Sequence, residues 1–127
     1  MSSKKNVLII TDGAKSIDLI AQSIKKSLAD CKVKLCPAEK FAGTDLLPAQ
    51  AFILGCEKPH PDSFAYLKEM LSHINLASRK CGIFSTNEKA LKYLGGLVKD
   101  CEADLGDPLL SSDEKPAVKK WLKGVMG

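Results

Sequence analysis

Val7-Leu8-Ile9-Ile10 runs straight into Thr11-Asp12-Gly13-Ala14-Lys15-Ser16, after which Ile17, Ile20, Ala21, Ile24 and Leu28 recur three or four residues apart. The order is strand, polar turn, helix. An unbroken run of β-branched residues and leucine suits a strand buried on both faces, as in a parallel sheet, and the later spacing puts one apolar stripe on a helix. In an open α/β sheet, ligands sit beyond the carboxyl ends of the strands, where a starting helix offers unpaired N–H groups and a partial positive charge. Thr11, Gly13, Ala14, Lys15 and Ser16 are therefore the first candidates for holding an anion. The same turn also has a purely structural reading, in which Thr11, Asp12 or Ser16 caps the helix.

The rest of the chain repeats this strand-and-helix unit. Lys32-Val33-Lys34-Leu35-Cys36 alternates polar and apolar residues up to Pro37, which predicts an edge strand whose lysines discourage pairing with another chain. Glu39 to Leu47 is a connection with room for one helical turn, with Phe41 and Leu46 as anchors and Gly43 and Pro48 as breakers. Ala51-Phe52-Ile53-Leu54-Gly55-Cys56 is a second fully apolar run, halted by Glu57-Lys58-Pro59-His60-Pro61-Asp62, whose prolines cannot continue a strand. From Pro61 or Asp62 a helix opens with Phe64, Leu67, Leu71 and Ile74 as its stripe, and His73 near its end reads as a surface imidazole.

Lys80 to Ser85 reads as a fourth strand and Thr86-Asn87-Glu88 as the loop it delivers. A helix follows with Ala90, Leu91, Leu94 and Leu97 inward, weakened in its second half by Gly95-Gly96. Cys101 to Leu105 is expected as a fifth strand on the opposite edge, broken by Gly106-Asp107-Pro108. Ser111 to Met126 is the last helix, with Ser112 or Asp113 as N-cap, Pro116 in its opening turn, and Val118, Trp121, Leu122 and Val125 facing inward.

Strands alternating with helices, joined by right-handed crossovers, predict a three-layer α/β sandwich around a five-stranded parallel sheet in the order 2-1-3-4-5. That order sets strand one beside strand three. It brings the loops Thr11–Ser16, Cys56–Pro61 and Ser85–Glu88 to one rim, so Cys56, His60, Ser85, Thr86 and Asn87 join the candidate site.

A length of 127 residues with 45% apolar content allows one well-buried core and is too short for two ordinary domains, so residues 1–127 are read as one domain. The +4 charge comes almost wholly from lysine, since Arg79 is the single arginine, and no basic run is interleaved with aromatics. Nucleic-acid binding is not expected. Five cysteines in no metal-ligand spacing argue for reduced thiols in a cytoplasmic protein, and for buried structural thiols over thiol catalysis. No apolar run reaches membrane-spanning length, and the segment after Met1-Ser2-Ser3-Lys4-Lys5 is too short for a signal peptide. A phosphorylated receiver domain shares the topology but needs an acidic cluster after strand one, an Asp ending strand three and a Lys ending strand five. Asp12, Gly55-Cys56 and Leu105-Gly106 stand there instead.

Taken together, Val7–Ser16, Ala51–Cys56, Arg79-Lys80-Cys81-Gly82-Ile83-Phe84-Ser85 and Gly106-Asp107-Pro108-Leu109-Leu110 resemble, in order and spacing, the flavodoxins and flavodoxin-like proteins along almost the whole chain. The resemblance implies non-covalent FMN, electron transfer and a redox partner protein. In that family the first loop carries a Ser/Thr-x-Thr-Gly-x-Thr pattern around the FMN phosphate. Thr11 and Ser16 match its outer hydroxyls, whereas Gly13 stands for a Thr and Ala14 for the Gly. Asp12 adds a charge that repels phosphate, which Lys15 offsets. The family's other two loops supply aromatic rings, and here only His60 is available. The family's acidic surface is also missing from this basic chain. The alternative implied is a flavodoxin-fold module that has lost flavin and serves interaction or regulation.

Overall fold

The computed structural model describes residues 5–42, 44, 48–77, 79–106, 108–110 and 115–126. Strand β1 (Asn6–Thr11) lies between β2 (Lys32–Pro37) and β3 (Ala51–Gly55), and β4 (Lys80–Ser85) flanks β3, every pair parallel. The order β2-β1-β3-β4-β5 is the one the sequence predicts. β1, β3 and β4 are buried almost throughout, as residues covered on both faces must be. On β2 the exposed Lys32 and Lys34 alternate with partly buried Val33 and Leu35, in keeping with an edge.

The fifth strand differs from expectation. Cys101 does not begin it but ends the preceding helix, and the strand shrinks to β5 (Asp104–Leu105), followed by a separate β6 (Leu109–Leu110) beside Phe84 and Ser85 of β4. The edge is split because Pro108 has no N–H to give a ladder, while the Gly106 N–H still donates to Cys81 O at 3.0 Å.

Helices α1 (Lys15–Ser27) and α4 (Lys115–Met126) cover one face of the sheet, and α2 (Ala65–His73) and α3 (Glu88–Cys101) cover the other. The first layer packs Ile17, Ile20, Ala21 and Ile24 with Val118, Trp121 and Val125 on Val7, Ile9 and Ile53. The second packs Leu67, Leu71, Ala90, Leu94 and Val98 on Leu8, Ile10, Leu54 and Ile83. α2 starts later than predicted, since Asp62–Phe64 forms a 3₁₀ turn and regular helix begins at Ala65. α3 continues through Gly95-Gly96, because Leu94, Leu97, Val98 and Cys101 are all buried and packing overrides the weak propensity. Phe41 is buried as an anchor with its ring 5.8 Å from that of Tyr66. The second anchor Leu46, the breaker Gly43 and the caps Ser112 and Asp113 lie outside the described residues. Among those described, no helix is long and apolar enough to cross a membrane.

Two glycines in the sheet make room for aromatic rings. A Cβ on Gly82 would stand 2.7 Å from Trp121 Cζ2, so the indole rests directly on the β4 backbone. A Cβ on Gly55 would fall on the fully buried Phe84 ring. Gly55→Ala is expected to lower stability by about 1 kcal/mol or more through overpacking. Chemical denaturation checks this, and an unchanged midpoint would mean that the Phe84 ring can step aside.

Candidate functional site

β1 and β3 are adjacent, with Thr11 opposite Gly55, so the loops that follow them leave the sheet side by side. The loop after β4 joins them on the same rim. An open cleft of about 720 Å³ results, lined by Ser16 from the first loop, Glu57 and Lys58 from the second, Thr86 to Lys89 from the third, and Leu110 of β6. This is the topological switch point of the sheet, where α/β proteins of this kind bind ligands.

The first loop is held by its own side chains. Thr11 is buried, its hydroxyl donating to Asp18 Oδ1 at 3.0 Å and accepting from the Gly13 N–H at 3.4 Å. Asp12 Oδ1 accepts from the Ala14 N–H at 3.0 Å, and Asp12 Oδ2 accepts from the Glu57 N–H across the loops at 2.8 Å. Gly13 turns the chain at φ +82°, a conformation that favours glycine. The N-cap of α1 is Ala14, which has no side-chain acceptor, so none of Thr11, Asp12 and Ser16 caps the helix as the structural reading expected. The first-turn N–H groups are left without a side-chain cap. Ser16 Oγ donates instead to Glu57 Oε2 at 2.8 Å.

The ten sequence candidates therefore divide. Ser16, Thr86 and Asn87 meet in the main cleft, while Thr11 and Gly13 line a separate cavity of about 160 Å³ against Leu35, Cys36 and Pro37 of β2. Ala14 is half-buried and Lys15 exposed at the helix start. Ser85 is fully buried, its hydroxyl donating to Cys56 O at 2.6 Å and accepting from the Asn87 N–H at 3.0 Å. It braces loops two and three rather than facing the cleft. Asn87 caps α3 by accepting from the Lys89 N–H at 2.9 Å.

Cys56 is sealed beneath the second loop. Burial, with the Asp12 carboxylate adding to it, pushes its thiol up to about 12, so it stays protonated at neutral pH and is no nucleophile. Burial likewise raises Cys81 and Cys101, and no disulfide joins any of the five cysteines. Among the described residues no three His, Cys, Asp or Glu side chains gather into a metal site.

His60 sits at φ 53° in the second loop, its ring centroid 4.4 Å from that of Tyr93. Tyr93, whose phenol is raised first by burial and then by nearby Cys56, was not singled out from the sequence. Its signal was there: it lies three residues after buried Ala90 on α3. Glu57, Lys58, Lys89 and Leu110 also line the cleft without having been singled out. The first two follow directly on the second strand run, but only the tertiary arrangement sets them in one cleft with Ser16.

An α/β sandwich doubly wound in this strand order, with its cleft at the β1/β3 switch point, is the flavodoxin-like architecture. No protein-family model and no curated protein matches the chain. Solved structures do. A Streptococcus pneumoniae TIGR4 flavodoxin aligns with a TM-score of 0.80 at 14% identity, over 95% of this chain and 97% of its own. Oxidised flavodoxin 2 from Bacillus cereus gives 0.79 at 22% identity over the same shares, 95% and 97%. A short-chain flavodoxin associated with a bacterial microcompartment gives 0.83 at 12% identity, over 98% and 97%. The chain has the flavodoxin-like fold along essentially its whole length, with a sequence far diverged from these neighbours.

Proposed function

We propose that the chain binds FMN non-covalently in the carboxyl-edge cleft and serves as an electron carrier. The observation that carries this reading is the convergence of three loops on one cleft of about 720 Å³ at the start of a helix with no side-chain cap. That volume lies in the range of small-molecule and cofactor sites. That structural neighbours of the chain are flavodoxins supports the choice of ligand. Backbone N–H groups at Lys15 and Ser16 and the Lys15 ammonium would hold the phosphate, and Thr86 and Asn87 offer polar contacts along the cleft. Bound flavin supplies one- and two-electron transfer. Among the described residues no aromatic side chain lines the cleft, so stacking contributes little and the affinity is modest. Five cysteines without a disulfide support a reducing compartment such as the cytoplasm, and a redox partner protein completes the proposal.

A second reading, the flavin-free interaction module, is favoured by one specific feature. Asp12 and Glu57 already occupy donors of the first loop, which a phosphate would otherwise use. Purified protein should quench flavin fluorescence when titrated against FMN and take on the yellow absorbance of a flavoprotein. No quenching at millimolar protein would hand the function to the second reading.

A further inference from the structure

The first two loops are joined at the cleft by acids. Ser16, in the first turn of α1, donates its hydroxyl to Glu57 Oε2 at 2.8 Å, and the Glu57 N–H donates to Asp12 Oδ2 at 2.8 Å. Half-buried Glu57 forms no ion pair among the described residues, although Lys58 and Lys89 line the same cleft. Its carboxylate is held instead by a charge-assisted bond at a helix start, where the dipole favours negative charge. That is the position an incoming anion would use.

Resting on the flavin reading, we propose that Glu57 is an internal latch: its carboxylate stands in for the ligand's phosphate at Ser16 and sets the affinity and anion selectivity of the cleft. Release breaks one bond, that from Ser16 to Glu57. The Glu57 N–H can stay on Asp12, whose other oxygen fixes the Ala14 N–H, while rotation of the Glu57 side chain frees the Ser16 hydroxyl. The loops need not move, because the strands that carry them are locked in register at Thr11 and Gly55. If the carboxylate were swung aside but kept its charge in the cleft, it would still repel a phosphate.

Glu57→Gln keeps an acceptor for Ser16 and removes the charge, while Glu57→Ala removes both. Both variants are expected to bind FMN about tenfold tighter than the wild type, with riboflavin unchanged. Inorganic phosphate should shift the Ser16 amide resonance of Glu57→Ala at concentrations that leave the wild-type resonance in place. Equal FMN affinity in all three proteins, with phosphate moving no Ser16 resonance, overturns the latch and leaves the flavin reading standing. If FMN binds none of them, yet phosphate reaches Ser16 in the alanine variant alone, the latch stands and the flavin reading falls. If neither probe binds any form, both are wrong.

Discussion

Replacing Ile53 by Ala is expected to lower the unfolding free energy by about 2–5 kcal/mol. Ile53 is fully buried in β3, with Ile9 of β1 and Gly82 of β4 as its register partners. Its side chain belongs to the layer that α1 and α4 close with Ile20 and Trp121. Gly82 cannot expand into the vacated space, and the indole already rests on it. A cavity therefore remains, and its cost adds to the lost transfer free energy. Urea denaturation measures the difference. A loss well under about 1 kcal/mol would show that β3 is not the central strand of a tightly packed core.

Lys15→Glu is expected to weaken FMN binding by about 1–3 kcal/mol, or roughly 5-fold to 150-fold. Lys15 is exposed at the start of α1, so its contribution is screened and the lower half of that range applies at physiological salt. The substitution removes the loop's one cation and adds an acid near Asp12, Asp18 and Glu57, three carboxylates already hydrogen-bonded around this turn. Raising the salt concentration should narrow the gap between variant and wild type. Flavin fluorescence titration at two ionic strengths checks both statements, and equal affinities would place the phosphate away from this turn.

The two apolar runs and the spacing after them made the fold legible. A run such as Ala51–Gly55 can be satisfied only by burial on both faces, and the stripe from Ile17 to Ile24 must lie on a sheet, so the layered sandwich follows from local pattern. The fifth strand was legible in its place at the edge but not in its extent. Its two halves are short and interrupted at Pro108, and its residues carry no periodicity longer than a dipeptide. The convergence of the loops on one cleft was legible, but its hydrogen bonds were not. The turn Thr11–Ser16 showed where a loop would stand, whereas the use of Thr11 by Asp18 and of Ser16 by Glu57 depends on side chains brought in from α1 and from the loop after β3. Ser85 illustrates the same limit: a hydroxyl at a strand end looks available, yet its two bonds to Cys56 and Asn87 consume it.

FMN and riboflavin differ only in the phosphate, so their paired titration into the wild-type protein tests directly whether the first loop and the start of α1 form a nucleotide site. FMN is expected to bind, with riboflavin weaker by about tenfold or more, the worth of one charge-assisted phosphate contact. Riboflavin binding as tightly as FMN, or neither binding at millimolar concentration, would contradict the assignment.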